Sequence, residues 1–325
     1  MNSESNPDNE PLDLSIVVIG FNEAKHLKAC LESCQRMNTG DMTSEIIYVD
    51  GGSVDDSLSI AESFDIRVIP GGDEPRRAAQ NRNLGMQNAR GRYVQFVDGD
   101  MVMESDWLVS ARKILDENPG VATVFGRLEE VNKNAFYQAL QIDWYHPVGE
   151  AQYCGGASLF RREPLAAIGG FPEDVAYGEE PYLCWRLRNE ADQTIYHIHD
   201  VMALHDLAYT GFFDYWRRNI RVGGTYAEIA QRCANTKDPF WTKETRQQSV
   251  WGLTLVALLV VFLLSPIPFK LGIVGFIGLV IGRKIAQRVV AGNSFSVAIV
   301  YGIHTYLAKI GIAWGVFRWR LSHKK

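Results

Sequence analysis

The sequence predicts an α/β domain with a Rossmann-like sheet, followed by a region of hydrophobic helices. Short apolar, β-rich runs lie at residues 14–19, 46–49, 67–69 and 93–97, and a helix-like segment follows each of the first three. This alternation is typical of parallel strands joined by crossover helices. Long apolar stretches begin only near residue 249. We therefore expect a disordered tail at 1–13, an α/β domain at 14–240 and apolar helices at 241–325.

Individual elements follow from the same patterns. Helices are predicted at residues 24–37, 55–64 and 76–89, each between two of the expected strands. The region from 121 to 171 is less regular, with one helix predicted at 134–144 and another further on at 182–188. Residues 1–13 are polar and acidic and lack the basic and apolar regions of a signal peptide, so we expect the α/β domain to be cytoplasmic.

Composition excludes some classes of function. The formal net charge of -5 gives no basic surplus, so we expect no nucleic acid as a partner. Five cysteines without a CxxC pair argue against a secreted disulfide framework and indicate reduced thiols.

Polar and acidic residues follow three of the predicted strands. The carboxyl ends of strands in open α/β sheets form the ligand-binding edge, so these residues should meet there. Asp98 and Asp100 are separated by one small residue in a turn, a spacing that suits a divalent metal bridging a diphosphate. An exposed turn is the alternative for a single DxD sequence. The residues concerned are Asn22, Glu23, Asp50, Ser53, Asp98 and Asp100.

Two further features point to nucleotide chemistry. Asp50 ends a strand, where its carboxylate can accept hydrogen bonds from a nucleobase, although Asp50 to Ser53 also suits a strand-to-helix turn with Ser53 as N-cap. Arg82 lies on the next predicted helix, and its guanidinium suits phosphate oxygens or a base. Glu179 and Glu180 offer a general base, with Glu180 preferred, although a helix start attracts acids in any case.

These segments, in this order, resemble the family 2 glycosyltransferases of the GT-A fold over residues 14–223. Residues 16–23 resemble the opening strand, residues 50–53 the nucleotide-binding motif, 81–85 the "ARN.G" helix and 98–100 the metal-binding DxD. Residues 155–162 resemble the acceptor-side loop and 178–183 the catalytic-base motif. The resemblance implies inverting transfer from a nucleoside-diphosphate sugar with Mg²⁺ or Mn²⁺. It places Gly155, Gly156 and Ala157 on the acceptor side.

The sequence departs from the family pattern at two positions that bear on the mechanism. Glu179-Glu180 stands where the family usually has ED, which leaves the choice of base between the two residues open. Residues 247–251 lack the arginine of the QxxRW motif of processive members, which predicts addition of a single sugar. His205 resembles a residue that related enzymes bring to the diphosphate or its metal, and a purely structural histidine is the alternative.

Three apolar segments lie after residue 249. Residues 250–264 are expected to span a membrane and 271–282 to return, with Arg283 and Lys284 on the cytoplasmic side. Residues 295–317 contain His304 and Lys309, so an interfacial or re-entrant helix is expected, and the number of crossings stays open. We thus expect a multi-pass protein of the cell membrane with a lipid-linked saccharide acceptor.

Other functions remain open at this point. A polyprenyl-phosphate glycosyltransferase is the nearest rival within the class. A metal-dependent nucleotidyltransferase would share the sheet and the acidic site but release pyrophosphate. The third alternative is an inactive membrane scaffold on a decayed transferase fold, against which the acidic residues argue.

Overall fold

The computed structural model describes residues 10–72, 74–207, 209 and 211–323. The chain divides into two compact units. The first comprises the chain up to Val131 together with Tyr145–Val175 and Glu179–Asp206, and the second comprises Asn132–Trp144, Ala176–Gly178 and the chain from Leu207 onward. The predicted limit at residue 240 falls inside the second unit, so the division into domains at that position stays a prediction.

The first unit contains a mixed sheet. Its strands are β1 (Leu12–Gly20), β2 (Ser44–Asp50), β3 (Arg67–Ile69), β4 (Gly91–Asp98), β5 (Met101–Met103), β6 (Val121–Glu130), β7 (Gly149–Ala151), β8 (Leu159–Arg161) and β9 (Thr194–His205). Their order in the sheet is β3-β2-β1-β4-β8-β6-β9-β5, with β7 paired to β9. Strands β1 to β4 are parallel as predicted, whereas β8 runs antiparallel to both β4 and β6.

Helices of the first unit follow most of the strands. They are α1 (Leu27–Gln35), α2 (Ser57–Glu62), α3 (Ala78–Asn88), α4 (Trp107–Glu117), α6 (Arg162–Ala167) and α7 (Glu179–Glu190). Strand β1 is buried continuously from Leu14 to Gly20, the pattern of a strand covered on both faces. It begins at Leu12, so residues 12 and 13 belong to the sheet and not to the predicted tail; residues 1–9 of that tail lie outside the described part.

The register of the central strands sets the position of the site. Gly20 pairs with Asp50 on one side of β1, and Ile19 pairs with Asp98 on the other. Because all three strands are parallel, their carboxyl ends finish at the same level. The acidic turns after β1, β2 and β4 therefore lie side by side at one edge of the sheet, as the sequence predicts.

The second unit is helical. Its elements are α5 (Ala135–Gln141) with a 3₁₀ turn (Ile142–Trp144), α8 (Phe212–Cys233), α9 (Thr242–Leu264), α10 (Ile267–Val290) and α11 (Phe295–Ser322). Helices α8 and α11 cross closely at Gly223 and Gly315, which have no side chains. A Cβ atom added to Gly223 would lie 2.0 Å from the carbonyl oxygen of Ile312, and one added to Gly315 would lie 2.0 Å from that of Ile220. Any side chain at either glycine would separate the two helices.

Two helices in the described part of the chain, α9 and α11, are long and apolar enough to cross a membrane. In α9 only 6% of the most apolar stretch is buried, and side chains such as Leu253 and Leu264 are exposed. The expected return crossing lies in α10, which is not one of the two because it contains four basic residues, Lys270, Arg283, Lys284 and Arg288. Residues 295–317 lie within the unbroken helix α11, and the interfacial or re-entrant position expected for them stays a prediction.

Candidate active site

The turns after β1 and β2 are joined by hydrogen bonds. The backbone N–H of Asn22 donates to Ser53 Oγ at 2.9 Å, and Asn22 Oδ1 accepts from the N–H of Val54 at 2.9 Å. Asn22 has a φ of 58°, in the left-handed region that asparagine tolerates better than most residues. The N–H of Glu23 donates to Ser57 Oγ at 2.8 Å. Asn22 and Ser53 thus fix the two turns to each other.

Asp50 is buried and stabilises its own turn. One carboxylate oxygen, Oδ2, accepts from the N–H groups of Gly52 and Ser53 at 2.8 and 2.9 Å, and the Tyr48 hydroxyl donates to Oδ1 at 3.3 Å. A Cβ on Gly71 would lie 2.3 Å from Gly52 Cα, so only glycine allows this approach of two loops. The structure gives Asp50 the turn-stabilising role, and its contact with a donor nucleobase stays a prediction.

The Asp98-Gly99-Asp100 turn follows β4. The N–H of Gly99 donates to the carbonyl of Ile19 at 2.8 Å, which holds the turn beside the end of β1. Asp100 Oδ1 is buried without a hydrogen-bond partner among the described residues, and Oδ2 lies 3.7 Å from His205 Nε2. Burial raises the pKa of Asp100, the nearby Asp98 charge adds to this and His205 opposes it. The turn thus contains an incompletely satisfied carboxylate.

Glu23 faces the same turn. Desolvation first, and then the charges of Asp100, Asp98 and Asp55, raise the pKa of Glu23 to about 7. A Cβ on Gly99 would lie 3.2 Å from Glu23 Cγ, so the glycine keeps the turn in contact with this side chain. The local surplus of negative charge is therefore large enough to perturb a carboxylate on the neighbouring loop.

Arg82 is the centre of the site. Its guanidinium donates to Asp98 Oδ1 at 2.8 Å, to Glu180 Oε1 at 3.2 Å and to Glu179 Oε1 at 3.3 Å, and only 3% of its side chain is exposed. Burial lowers the pKa of Arg82, but the charges of Asp98, Glu180 and Glu179 outweigh burial and raise it above its ordinary value. The structure shows one cation that holds three carboxylates together, and the predicted contact of Arg82 with phosphate oxygens or a base of the donor stays a prediction.

The two glutamates are the first residues of α7, where the helix dipole favours negative charge. Their side chains are 17% and 19% exposed. Desolvation, followed by the charge of Glu179, raises the pKa of Glu180 to about 7 although Arg82 opposes the rise. A carboxylate with this pKa is suited to accept a proton at neutral pH.

The glycine-rich loop at Gly155, Gly156 and Ala157 lies against the same cluster. A Cβ on Gly156 would lie 2.0 Å from Arg82 Nη2 and 2.9 Å from Glu180 Oε1, so a side chain there would displace the ion pairs. Gly155 has free space around its Cα, and Ala157 is buried. The structure therefore brings this loop together with Arg82 and Glu180; its contact with an acceptor stays a prediction.

The acidic turn fits a divalent cation, although no group of three potential protein ligands occurs in the described part of the chain. Asp98 and Asp100 offer hard oxygen ligands, which Mg²⁺ and Mn²⁺ prefer. The buried, unpartnered Asp100 Oδ1 and the raised pKa of Asp100 are both consistent with a position that a cation would stabilise. Of the predicted metal-site residues, His205 lies beside Asp100, and joint binding of a cation by Asp98, Asp100 and His205 stays a prediction.

The sequence interpretation missed the role of Asn83. Its Nδ2 donates to the carbonyl of Phe171 at 2.9 Å and to Glu173 Oε1 at 2.8 Å, and its Oδ1 accepts from the N–H of Phe171 at 2.8 Å. Asn83 thereby fixes the segment after α6 to helix α3, beside the Arg82 guanidinium, which lies 5.4 Å from the Phe171 ring centre. The one sequence feature that could have indicated this role is the position of Asn83, next to Arg82 in the motif at residues 81–85.

Asn83→Ala is expected to lower the free energy of unfolding by about 2–4 kcal/mol, because it leaves the buried N–H and carbonyl of Phe171 unpaired. Urea unfolding followed by circular dichroism would measure the change. Gln87→Ala is the control, since Gln87 is exposed on the same helix. Equal stability of the two variants would contradict the role given to Asn83.

Comparison with known proteins supports the fold that the sequence resemblance implies. Residues 15–169 match the family model described as glycosyl transferase family 2. Glycosyltransferase AglE of Haloferax volcanii is 25% identical over 222 residues, which cover 65% of this chain and 71% of that protein. The dolichyl N-acetyl-alpha-D-glucosaminyl phosphate 3-beta-D-2,3-diacetamido-2,3-dideoxy-beta-D-glucuronosyltransferase of Methanococcus voltae is 25% identical over 176 residues, 51% of each chain.

A solved structure shows the same fold. The mannosyltransferase PcManGT from Pyrobaculum calidifontis, in complex with GDP-Man and Mn²⁺, superposes with a TM-score of 0.69 at 16% identity, covering 99% of this chain and 91% of that one. The mixed sheet with its acidic edge is thus the GT-A fold. Within that class, residues 15–169 are similar to glycosyltransferase family 2.

Proposed function

We propose that the chain is an inverting, non-processive glycosyltransferase that moves a sugar from a nucleoside-diphosphate donor to a lipid-linked saccharide at the cytoplasmic face of the cell membrane. The observation that carries the proposal is the cluster of Arg82 with Asp98, Glu179 and Glu180 at the carboxyl edge of the sheet. It joins the predicted metal-binding turn and the predicted base through one buried cation. Transfer of a sugar from a diphosphate oxygen to an acceptor hydroxyl oxygen uses both functions in one site.

In this mechanism Glu180 takes the proton of the acceptor hydroxyl as its oxygen attacks the anomeric carbon. Arg82 holds Glu180 beside the acidic turn, and Gly156 lets the acceptor-side loop lie against both. When bound, Mg²⁺ or Mn²⁺ supplies neutralisation of the negative charge that grows on the departing diphosphate. Asp98 and Asp100, with His205 beside them, would hold that cation.

A membrane location is supported by the two long apolar helices, α9 and α11. Exposed side chains of α9 and α10, among them Leu263, Leu264 and Phe269, form apolar surface that a soluble monomer rarely leaves uncovered. A lipid-linked acceptor agrees with this surface and with the dolichyl phosphate in the name of the Methanococcus voltae relative. The multi-pass topology and the cytoplasmic side of the α/β unit are parts of this proposal.

A panel of nucleotide sugars separates the proposal from its alternatives. Detergent-purified protein is incubated with each donor, Mn²⁺ and a lipid-linked saccharide, and the released nucleoside diphosphate is measured. Release with one donor that stops in EDTA supports the proposal. Transfer to polyprenyl phosphate itself would identify the rival transferase, pyrophosphate release from a nucleoside triphosphate would identify a nucleotidyltransferase, and no release with any donor would indicate a scaffold.

The raised pKa of Glu180 predicts the pH dependence of transfer. Because the base acts in its deprotonated form, kcat/KM should rise with pH and level off above about 7, the pKa of Glu180. The rising part of this pH profile reports the titration of the coupled pair Glu179 and Glu180. Initial rates between pH 5.5 and 8.5 at saturating Mn²⁺ would test this. A rate already level at pH 5.5 would contradict a base with a raised pKa.

A further inference from the structure

The helical unit contains a polar cavity that the reaction described above does not use. It has a volume of about 480 Å³ and is lined by residues of the 3₁₀ turn and of helices α5, α8, α9, α10 and α11. Its cations are Arg218, Lys284 and Lys309, and its carboxylate is Asp143. Charged side chains are costly among apolar helices unless they serve a function or are paired.

The carboxylate of this cavity is already satisfied. The Tyr301 hydroxyl donates to Asp143 Oδ1 at 2.8 Å, and His304 Nε2 lies 3.5 Å from Asp143 Oδ2. The other ring nitrogen of His304, Nδ1, lies 2.6 Å from the Tyr215 hydroxyl. Asp143 therefore belongs to a closed network with His304 and two tyrosines, and it does not neutralise the three cations through an ion pair.

The cations lie on three different helices. Lys309 Nζ donates to Gln248 Oε1 at 3.1 Å, which holds it at the wall of the cavity, and the Arg218 guanidinium lies 5.9 Å from the Tyr209 ring centre. Neither contact is with an acid. Lys284, on α10, forms no ion pair with any described residue. Three cations with one satisfied carboxylate leave a positive cavity that fits an anion.

An apolar groove adjoins the cavity. Tyr209, Tyr215 and His304 line both, so the two spaces are neighbours. The groove has a volume of about 470 Å³ and is otherwise lined by aromatic and aliphatic side chains, namely Phe136, Tyr137, Phe212, Val300, Ile303 and Leu307, with Gly211. A positive cavity beside an apolar groove matches a molecule with an anionic head and a hydrocarbon chain.

We propose that this cavity and groove bind a lipid phosphate, with the phosphate head among Arg218, Lys284 and Lys309 and the hydrocarbon chain along Ile303 and its neighbours. The inference deepens the proposed function, on which it rests, by assigning a site to the lipid part of the acceptor. A hydrocarbon chain suits the apolar lining of the groove. The phosphate contributes the charge that the three cations require.

Farnesyl phosphate is a suitable probe, because it has one short hydrocarbon chain and a phosphate head. Isothermal titration of the full chain in detergent should show farnesyl phosphate binding at least about tenfold more tightly than either farnesol or inorganic phosphate, since each provides only half of the contacts. Equal binding of farnesol, or of inorganic phosphate, would overturn the proposal. Displacement by an equal concentration of phosphatidylglycerol would also overturn it, because the site would then hold bulk lipid.

Matched variants locate the binding. Arg218→Gln and Lys284→Gln should each weaken farnesyl phosphate binding about tenfold, the loss of one charge-assisted hydrogen bond. Arg217→Gln is the control, because Arg217 is 75% exposed beside Asp214 and does not line the cavity. Ile303→Ser should weaken farnesyl phosphate but not inorganic phosphate, with Leu321→Ser as its control. Unchanged binding in both Arg218→Gln and Lys284→Gln would overturn the proposal. If one of the two variants failed to fold, unchanged binding in the other would overturn it.

Donor cleavage measured on the same samples separates this inference from the proposed function. Absence of farnesyl phosphate binding in a preparation that still releases nucleoside diphosphate overturns the lipid site alone. Binding of farnesyl phosphate in a preparation that cleaves no donor overturns the transferase proposal and leaves the lipid site supported.

Discussion

Glu180→Gln is expected to lower the rate of sugar transfer by about 10²–10⁴-fold, the usual contribution of a positioned general base. Glutamine has nearly the shape of glutamate and still reaches Arg82, but its amide cannot accept the proton of the acceptor hydroxyl. Binding of the nucleoside diphosphate should change little, because that binding is assigned to other turns. Transfer rates and calorimetric titration with the diphosphate and Mn²⁺ would measure the two effects separately.

Glu179→Gln is the matched control, because it removes the same charge from the same guanidinium, at 3.3 Å instead of 3.2 Å. It should retain most of the activity. Glu180 is preferred as the base because its carboxylate lies nearer the Gly156 loop and its pKa is raised to about 7. A larger loss in Glu179→Gln than in Glu180→Gln would transfer the role to Glu179.

Asp100→Asn is expected to reduce transfer by about 10³-fold, because metal assistance contributes several kcal/mol to stabilising the leaving diphosphate. The fold should be unaffected or slightly stabilised. Burial raises the pKa of Asp100, so its charged form is disfavoured in the folded protein and a neutral amide removes that cost. Rates at increasing Mn²⁺ concentration, with thermal unfolding measured in parallel, would test both statements.

Asp65→Asn makes the same chemical change at an exposed position on the loop before β3, outside the site, and should leave activity and its Mn²⁺ dependence unchanged. If Asp100→Asn kept full activity, or kept the Mn²⁺ dependence of the unaltered chain, the acidic turn would not be the cation site. Loss of activity together with a large loss of stability would instead indicate a structural role for Asp100.

Much of the first half of the fold follows from local pattern. Strand β3 has the limits predicted, and the other strands of the parallel half extend beyond their predictions by only one to two residues at each end. Apolar runs bounded by polar turns determine such strands locally. The antiparallel partners β5, β7 and β8 were not predicted, because each has only three residues and depends on pairing with distant strands.

The sequence by itself determined the class of fold, the motifs of the site and the apolar nature of the last helices, since each is encoded by periodicity or by residue type at short spacing. Tertiary structure alone decided that Arg82 joins Asp98 to Glu179 and Glu180, across 16 to 98 residues of chain. It also decided that Asp143 contacts Tyr301, which is 158 residues away in the sequence, and lies close to His304. Such contacts depend on how whole helices and strands pack, which local sequence patterns do not encode.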